Sequence, residues 1–238
     1  MVTYLAATKV LTDHHFSGAG IKYVVEAVGT FFLVFTVGAA VGSSSPLAPF
    51  GIGVVLMVMI YAGARVPGGH YNPAITLAML ARHRIGLRDA AGYWLVQLGA
   101  GLIAATAVRG IVDPARVATL VEVTLSGRTL VLAFAVEMLF IFVLCCVVLD
   151  VASRRDQPEC SYDGLAIGCT ILAGAVAIGA CSAGAFTPSD DSGAALAGIF
   201  DGQTLWVYLI AQIIGGLAAG VTFLALNPDT TDRRVRCL

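Results

Sequence analysis

Long apolar runs constrain the fold of this chain more than any other feature of its sequence. Residues 24–41 and 131–149 each contain a single charged side chain, and residues 205–226 contain none. Each run is about 18 residues or longer, which is enough for a helix to cross a bilayer. The whole chain is 58% hydrophobic and 12% charged, whereas soluble domains carry roughly 25% charged residues. The sequence therefore predicts an all-α membrane protein embedded in the lipid bilayer.

The apolar pattern and the charges together predict a topology. Six spans are expected at about 21–42, 51–66, 88–108, 129–149, 163–181 and 205–226. With a cytoplasmic N-terminus, all of the 14 Lys and Arg residues lie inside except Arg109, Arg116 and Arg128. This bias follows the positive-inside rule. It predicts a multi-pass protein of the cell membrane with both termini cytoplasmic, an N-terminal arm over 1–20, a single membrane domain over 21–226 and a tail over 227–238.

Two further apolar segments, one in each half, are too short to span a membrane. Asn72-Pro73 opens a helical pattern between spans two and three, and Thr187-Pro188 opens one between spans five and six. Asn and Thr are good N-cap residues, and proline fits the first helical position because its missing N–H needs no partner there. Each segment is predicted to be a half-helix that starts inside the membrane.

The two halves of the chain repeat each other. Glu26 and Glu137 lie in the first span of each half, and Gln97 and Gln212 lie in the third. Because three spans per half is an odd number, the second repeat, about 129–226, is inserted upside down relative to the first, about 21–108. Inverted repeats with broken helices are typical of transport proteins.

Charged groups in a bilayer need partners. The re-entrant loops also contain backbone N–H groups that require acceptors. We therefore expect Glu26 and Glu137 to accept hydrogen bonds from these loops, and Gln97 and Gln212 to add polar contacts between helices. All four are interpreted as structural groups that do not touch solute.

Four segments resemble signatures of the aquaporin, or major intrinsic protein, family. They are residues 26–31, 69–76 (Gly-His-Tyr-Asn-Pro-Ala-Ile-Thr), 93–100 and 211–216, and the resemblance covers about 21–226. It implies an aquaporin-like inverted repeat with six transmembrane helices and two re-entrant half-helices. It also implies a homotetramer with one pore per protomer, which passes water or small uncharged solutes without a cofactor or metal.

The resemblance assigns roles to the two loops. The half-helices point their positive ends at the pore centre, and the cap side chains Asn72 and Thr187 donate hydrogen bonds to the passing solute. Backbone carbonyls along one wall accept hydrogen bonds from it. These carbonyls belong to Gly68, Gly69, His70 and Tyr71 in the first loop and to Ala183, Gly184 and Ala185 in the second.

The second loop departs from the family pattern, because Thr187-Pro188-Ser189-Asp190 replaces Asn-Pro-Ala-Arg. A threonine hydroxyl offers one donor and cannot present an amide NH₂. Asp190 replaces the arginine of the outer selectivity filter. Carried over position by position, that filter consists of Ile52, Ala175, Gly184 and Asp190, which are smaller than the family's usual residues. We expect a wider filter without a fixed positive charge.

Two orientations of Asp190 remain open. It faces the pore and attracts cations, or it folds back on the Thr187 backbone N–H as a capping box. In both cases Asp190 and Asp191 offset the positive end of the second half-helix, which weakens the barrier to cations.

The sequence predicts a passive channel for small uncharged solutes, with glycerol-like polyols, urea-like solutes and water as candidates. The alternatives are a cation-leaky channel of altered specificity and a non-conducting membrane subunit of the same family. A secondary transporter is disfavoured because no charged residue in the apolar spans other than Glu26 and Glu137 suggests a proton or sodium site. An enzyme is disfavoured because no nucleophile–base or metal-ligand constellation is apparent, and the net charge of −1 does not indicate nucleic acid.

Overall fold

The computed structural model describes residues 18–43, 45–64, 66, 68–111, 127–151, 162–182 and 205–227. These residues form seven helices and contain no strand. In chain order the helices are α1 (Gly18–Ser43), α2 (Ala48–Gly63), α3 (Pro73–Ala81), α4 (Leu87–Ile111), α5 (Gly127–Val151), α6 (Asp163–Ser182) and α7 (Leu205–Leu226).

Six of the helices correspond in order to the six predicted spans. Four of them, α1, α4, α5 and α7, are long and apolar enough to cross a membrane, whereas α2 and α6 are shorter apolar helices. The predicted bounds of the second span, 51–66, were wrong, since α2 occupies Ala48–Gly63. The helix extends back over Pro49 because a proline in the first turn leaves no required hydrogen bond unmade. At its other end the chain leaves the helix after Gly63 to enter the loop before α3.

Helix packing repeats between the two halves. In the first half α1 packs against α2 and α4, and in the second half α5 packs against α6 and α7. The helices α2 and α6 pack against each other. The same contacts are therefore found when α1, α2 and α4 are replaced by α5, α6 and α7, respectively. The short helix α3 packs against α4, α5 and α7, and its predicted counterpart after Thr187 lies outside the described residues.

The contact between α2 and α6 is made backbone to backbone. A Cβ atom on Gly53 would lie 2.7 Å from the carbonyl oxygen of Gly168, and a Cβ on Gly168 would lie 2.6 Å from that of Gly53. Real side chains do not fit at such distances, so the crossing requires glycine on both helices. Small residues allow this close approach of helices in membranes, where dispersion contacts drive helix association.

Polar contacts show which helix ends share a side of the molecule. Lys22 Nζ lies 2.7 Å from Asp89 Oδ2, which joins the start of α1 to the start of α4. Arg82, immediately after α3, donates from Nη1 to the Leu149 carbonyl near the end of α5 and lies over the Phe223 ring near the end of α7. Only a short turn separates Arg82 from α4. The first described helix therefore begins, and the last one ends, on the same side.

Candidate functional site

The half-helix α3 begins after an asparagine that caps its N-terminus. Asn72 has an extended backbone (φ −151°, ψ 124°), and its Oδ1 accepts a hydrogen bond of 2.7 Å from the Ala74 N–H. Pro73 is the first helical residue, and its carbonyl accepts a hydrogen bond of 3.0 Å from Trp94 Nε1 on α4. The start of α3 is therefore fixed both by its own cap and by a neighbouring helix.

The amide nitrogen of the cap is left available. Asn72 is 2% exposed, and its Nδ2 has no hydrogen-bond partner among the described residues. Leaving a buried donor unpaired costs about 1–3 kcal/mol. The side chain cannot turn to relieve this cost without giving up the bond between Oδ1 and Ala74. Asn72 thus presents a fixed N–H donor at the positive end of a helix.

The loop before α3 has an unusual backbone. Gly68 and Gly69 have φ values of 137° and 79°, and Tyr71 has a φ of 49°. Glycine adopts positive φ without steric cost, but tyrosine at positive φ is strained. The Tyr71 ring contacts Gly29 of α1 and Gly63 of α2, where any side chain would clash with it. These contacts hold Tyr71 in its strained conformation.

Glu26 on α1 binds this loop. Its Oε1 accepts from the His70 N–H at 2.7 Å, and its Oε2 accepts from the Tyr71 N–H at 2.8 Å. Oε2 also accepts a bond of 2.9 Å from Gln97 Nε2 on α4. Glu26 and Gln97 are fully buried. A carboxylate that accepts three hydrogen bonds is far less costly to bury than an unpaired one, so Glu26 serves to tie the loop to two spanning helices.

Thr76 is a second centre of hydrogen bonds, and it was not among the predicted site residues. Its Oγ1 donates to the Asn72 carbonyl at 3.1 Å, lies 3.1 Å from Gln97 Nε2 and lies 3.0 Å from His70 Nδ1. A hydroxyl has only one proton to donate, and the Thr76 hydroxyl donates it to the Asn72 carbonyl. His70 must then carry its proton on Nδ1 and donate to Thr76. The signal in the sequence was a hydroxyl residue one helical turn after the cap.

Two of the four predicted outer-filter positions are described. Ile52 lies on α2 and Ala175 on α6, and they are 4% and 8% exposed. Both belong to one contiguous cluster of buried hydrophobic residues, so their surroundings are largely aliphatic. Six other predicted site residues lie outside the described residues: Ala183, Gly184, Ala185, Thr187, Pro188 and Asp190.

The second repeat places its polar residues in equivalent positions. Glu137 lies on α5 and Gln212 on α7, the helices that correspond to α1 and α4, and both side chains are fully buried. The equivalence with Glu26 and Gln97 extends the repeat from the helices to individual buried polar groups.

Arg82 is a buried cation at the other end of α3. It is the C-cap residue of that helix and only 4% exposed. Its Nη1 donates to the Leu149 carbonyl at 3.1 Å, and its Cζ lies 4.0 Å from the centre of the Phe223 ring. In the sequence, Arg82 is only one of the positive charges on the inner side. An arginine directly after an apolar half-helix was the signal that could have drawn attention to it.

Comparisons with known proteins agree on one family. The chain matches the Major intrinsic protein family over residues 15–223. It is 34% identical over 211 residues to "Glycerol uptake facilitator protein-like 6" of Lactiplantibacillus plantarum, a match that covers 83% of this chain and 94% of that protein. It is 31% identical over 222 residues to "Aquaporin NIP2-1" of Oryza sativa subsp. japonica, covering 89% of this chain and 72% of that protein.

A solved structure shows the same fold. The aquaglyceroporin from Plasmodium falciparum matches with a TM-score of 0.73 at 18% identity, over 88% of this chain and 97% of that one. At this level of identity the match establishes the membrane fold and leaves the choice of solute open.

Proposed function

The chain belongs to the major intrinsic protein family, and we propose that it is a passive transmembrane channel for small uncharged solutes. Glycerol-like polyols, urea-like solutes and water are the candidate solutes. The names of the relatives support this class, since one is a glycerol uptake facilitator and another an aquaporin. No cofactor or metal is required, because passage through such a pore needs only hydrogen-bond exchange and steric fit.

The observation that carries the proposal is the unpartnered amide of Asn72. Its Nδ2 is a fixed donor at the positive end of a half-helix, where a solute oxygen can accept from it. We propose that the carbonyls of Gly68, Gly69, His70 and Tyr71 accept hydrogen bonds from the same solute. Glu26 supports this role, because by binding the N–H groups of His70 and Tyr71 it fixes the direction of the loop backbone.

We further propose that the outer filter is wide and lacks arginine. Ile52 and Ala175 supply aliphatic surface from α2 and α6, and the sequence places Gly184 and Asp190 at the remaining two positions. A wall of this kind has room for a solute's carbon atoms and has no fixed positive charge. This composition favours polyols over strict water selectivity.

We also propose that the protein assembles as a homotetramer in the cell membrane, with both termini cytoplasmic. An apolar groove of about 580 Å³ between α5 and α6 supports an assembly through lateral contacts. Its lining includes Phe140, Cys169 and Ala173. Native mass spectrometry of the detergent-solubilised protein should give four copies, and Ala173→Trp should shift the distribution toward smaller species. A wild-type protein that is monomeric at all concentrations would contradict this assembly.

The test of the function is swelling of proteoliposomes in water, glycerol, urea and a series of diols, with ion flux measured in parallel. We compare wild type with Asp190→Arg and with Ile52→Trp, which restore charge and bulk to the filter. Wild type should pass glycerol and diols, and both variants should slow the larger solutes more than water. Absence of flux for every solute would refute the channel, and strict water selectivity in wild type would refute the wide filter.

A further inference from the structure

Three helix ends meet at the Arg82 side chain. Arg82 caps the C-terminus of α3, the Leu149 carbonyl that it binds lies in the last turn of α5, and the Phe223 ring that it covers lies in the last turn of α7. The C-terminal end of a helix carries roughly half a negative charge from its unpaired carbonyls. At this point the C-terminal ends of helices, rather than a carboxylate, stabilise the guanidinium.

The charge of Arg82 is not neutralised by an acidic side chain in the described part of the molecule. No carboxylate among these residues forms an ion pair with it, and its Nε and Nη2 have no hydrogen-bond partner there. Arginine remains protonated at all ordinary pH values. A buried, unpaired cation surrounded by apolar helices is screened much less than a surface charge, so its field extends into the protein.

The field of Arg82 acts along the half-helix. The nine residues of α3 place its two ends about 13 Å apart at 1.5 Å per residue. The start of α3 at Asn72 carries the positive end of the helix dipole, and Arg82 cancels the negative end. The half-helix then acts on the pore as a net positive charge. At an effective dielectric constant of about 20, one charge at this distance lowers the local concentration of a monovalent cation about tenfold.

We propose that Arg82 is a specificity-determining residue that excludes cations from the pore through the half-helix. The inference rests on the channel function proposed above. In the filter proposed above, Asp190 takes the place of the family's arginine, so that end of the pore has no fixed positive charge. Arg82 supplies one from the opposite end, on the side where α1 begins and α7 ends.

The test compares ion flux and solute flux in proteoliposomes of the full chain. Arg82→Met removes the charge at similar length, and Arg82→Lys keeps the charge while losing the planar guanidinium. Arg88→Gln removes a charge from an exposed residue of the next helix and is the matched control. We expect Arg82→Met to raise potassium and sodium permeability about tenfold with glycerol or water swelling within twofold of wild type, and Arg82→Lys and Arg88→Gln to exclude cations as wild type does.

Two results would overturn the proposal. The first is unchanged cation permeability in Arg82→Met proteoliposomes that still swell in solute. The second is an equal cation leak in Arg82→Lys and Arg82→Met, which would assign the effect to packing. If Arg82→Met does not fold, Arg82→Gln, which keeps a donor for the Leu149 carbonyl, gives the same comparison of charged and neutral side chains. A wild-type protein that passes no solute would refute the channel itself and is distinguished by its lack of swelling.

Discussion

Gly53 and Gly168 face each other where α2 crosses α6, and a Cβ atom on either would lie within 2.7 Å of the other's carbonyl oxygen. They occupy equivalent places in the two repeats, because Gly53 precedes Asn72 by as many residues as Gly168 precedes Thr187. The two halves of the molecule therefore meet through one residue and its own counterpart. Ile52 lies next to this crossing, so its position depends on how closely the two helices approach.

Gly53→Ala should destabilise the fold, because the methyl group has no space and must push α2 from α6. Overpacking of this kind costs about 1–3 kcal/mol. Gly51→Ala on the same helix is the control, since an added Cβ there contacts nothing within 4 Å and alanine favours helix. Thermal unfolding followed by size-exclusion chromatography should show a lower midpoint for Gly53→Ala only. Equal midpoints for the two variants would show that the crossing tolerates separation.

Glu26→Gln should loosen the re-entrant loop. The amide replaces one acceptor oxygen by an NH₂ group, so either the His70 or the Tyr71 N–H loses its partner and meets another donor. The expected cost is about 1–3 kcal/mol, with a fall in solute flux per folded protein. Asp89→Asn, at a half-exposed carboxylate paired with Lys22, serves as the control, because surface ion pairs contribute little. Wild-type flux and stability in Glu26→Gln would contradict a clamping role for this carboxylate.

Thr76→Val tests the hydrogen bonds of the hydroxyl while the volume of the side chain stays the same. Valine fills the same volume but removes the acceptor of His70 Nδ1 and one of the two acceptors of Gln97 Nε2, which keeps its bond to Glu26. We expect a lower unfolding temperature and slower swelling, with both recovered in Thr76→Ser. Thr170→Val is matched to it, because among the described residues Thr170 bonds only the Ala166 carbonyl of its own helix. If Thr76→Val and Thr170→Val behave alike, the hydrogen bonds around Thr76 have no special role.

Asn72→Asp should remove the amide donor of Asn72 while keeping its role as helix cap. An aspartate oxygen can still accept from the Ala74 N–H, as Asn72 Oδ1 does, whereas the Nδ2 donor is replaced by a second oxygen. We expect near-wild-type thermal stability, since Asn and Asp cap helices about equally well, together with at least a tenfold loss of glycerol flux. Asn72→Ala should lose both stability and flux. Glycerol flux at the wild-type rate in Asn72→Asp would rule out the amide as a solute ligand.

The helical scaffold could be predicted from the sequence because its determinants are local. The apolar runs fixed the number and order of the spans, and the Asn72-Pro73 pair marked the start of α3 to the residue. A buried carboxylate needs donors, which led to the expectation that Glu26 binds the loop, and the structure contains both bonds. The start of α2 was missed by three residues, since an apolar run gives no sharp signal for its own end.

Other features depend on contacts that local sequence does not encode. Tyr71 appeared in the sequence as a source of a carbonyl, whereas its ring, its positive φ and its contacts with Gly29 and Gly63 follow from how three segments meet. Arg82 looked like a surface charge because its burial is produced by α5 and α7, which lie far away in the chain. Such groups can be recognised only when the helices are assembled.

The bond from Trp94 to the Pro73 carbonyl gives this protein an internal optical reporter. The chain has two tryptophans, and the other, Trp206, is 57% exposed at the start of α7. In a Trp206→Phe background, the emission wavelength and lifetime of Trp94 report on a single indole whose N–H is bonded to the first residue of the half-helix. Displacement of α3, by mutation or by a bound solute, can then be followed by fluorescence without attaching a label.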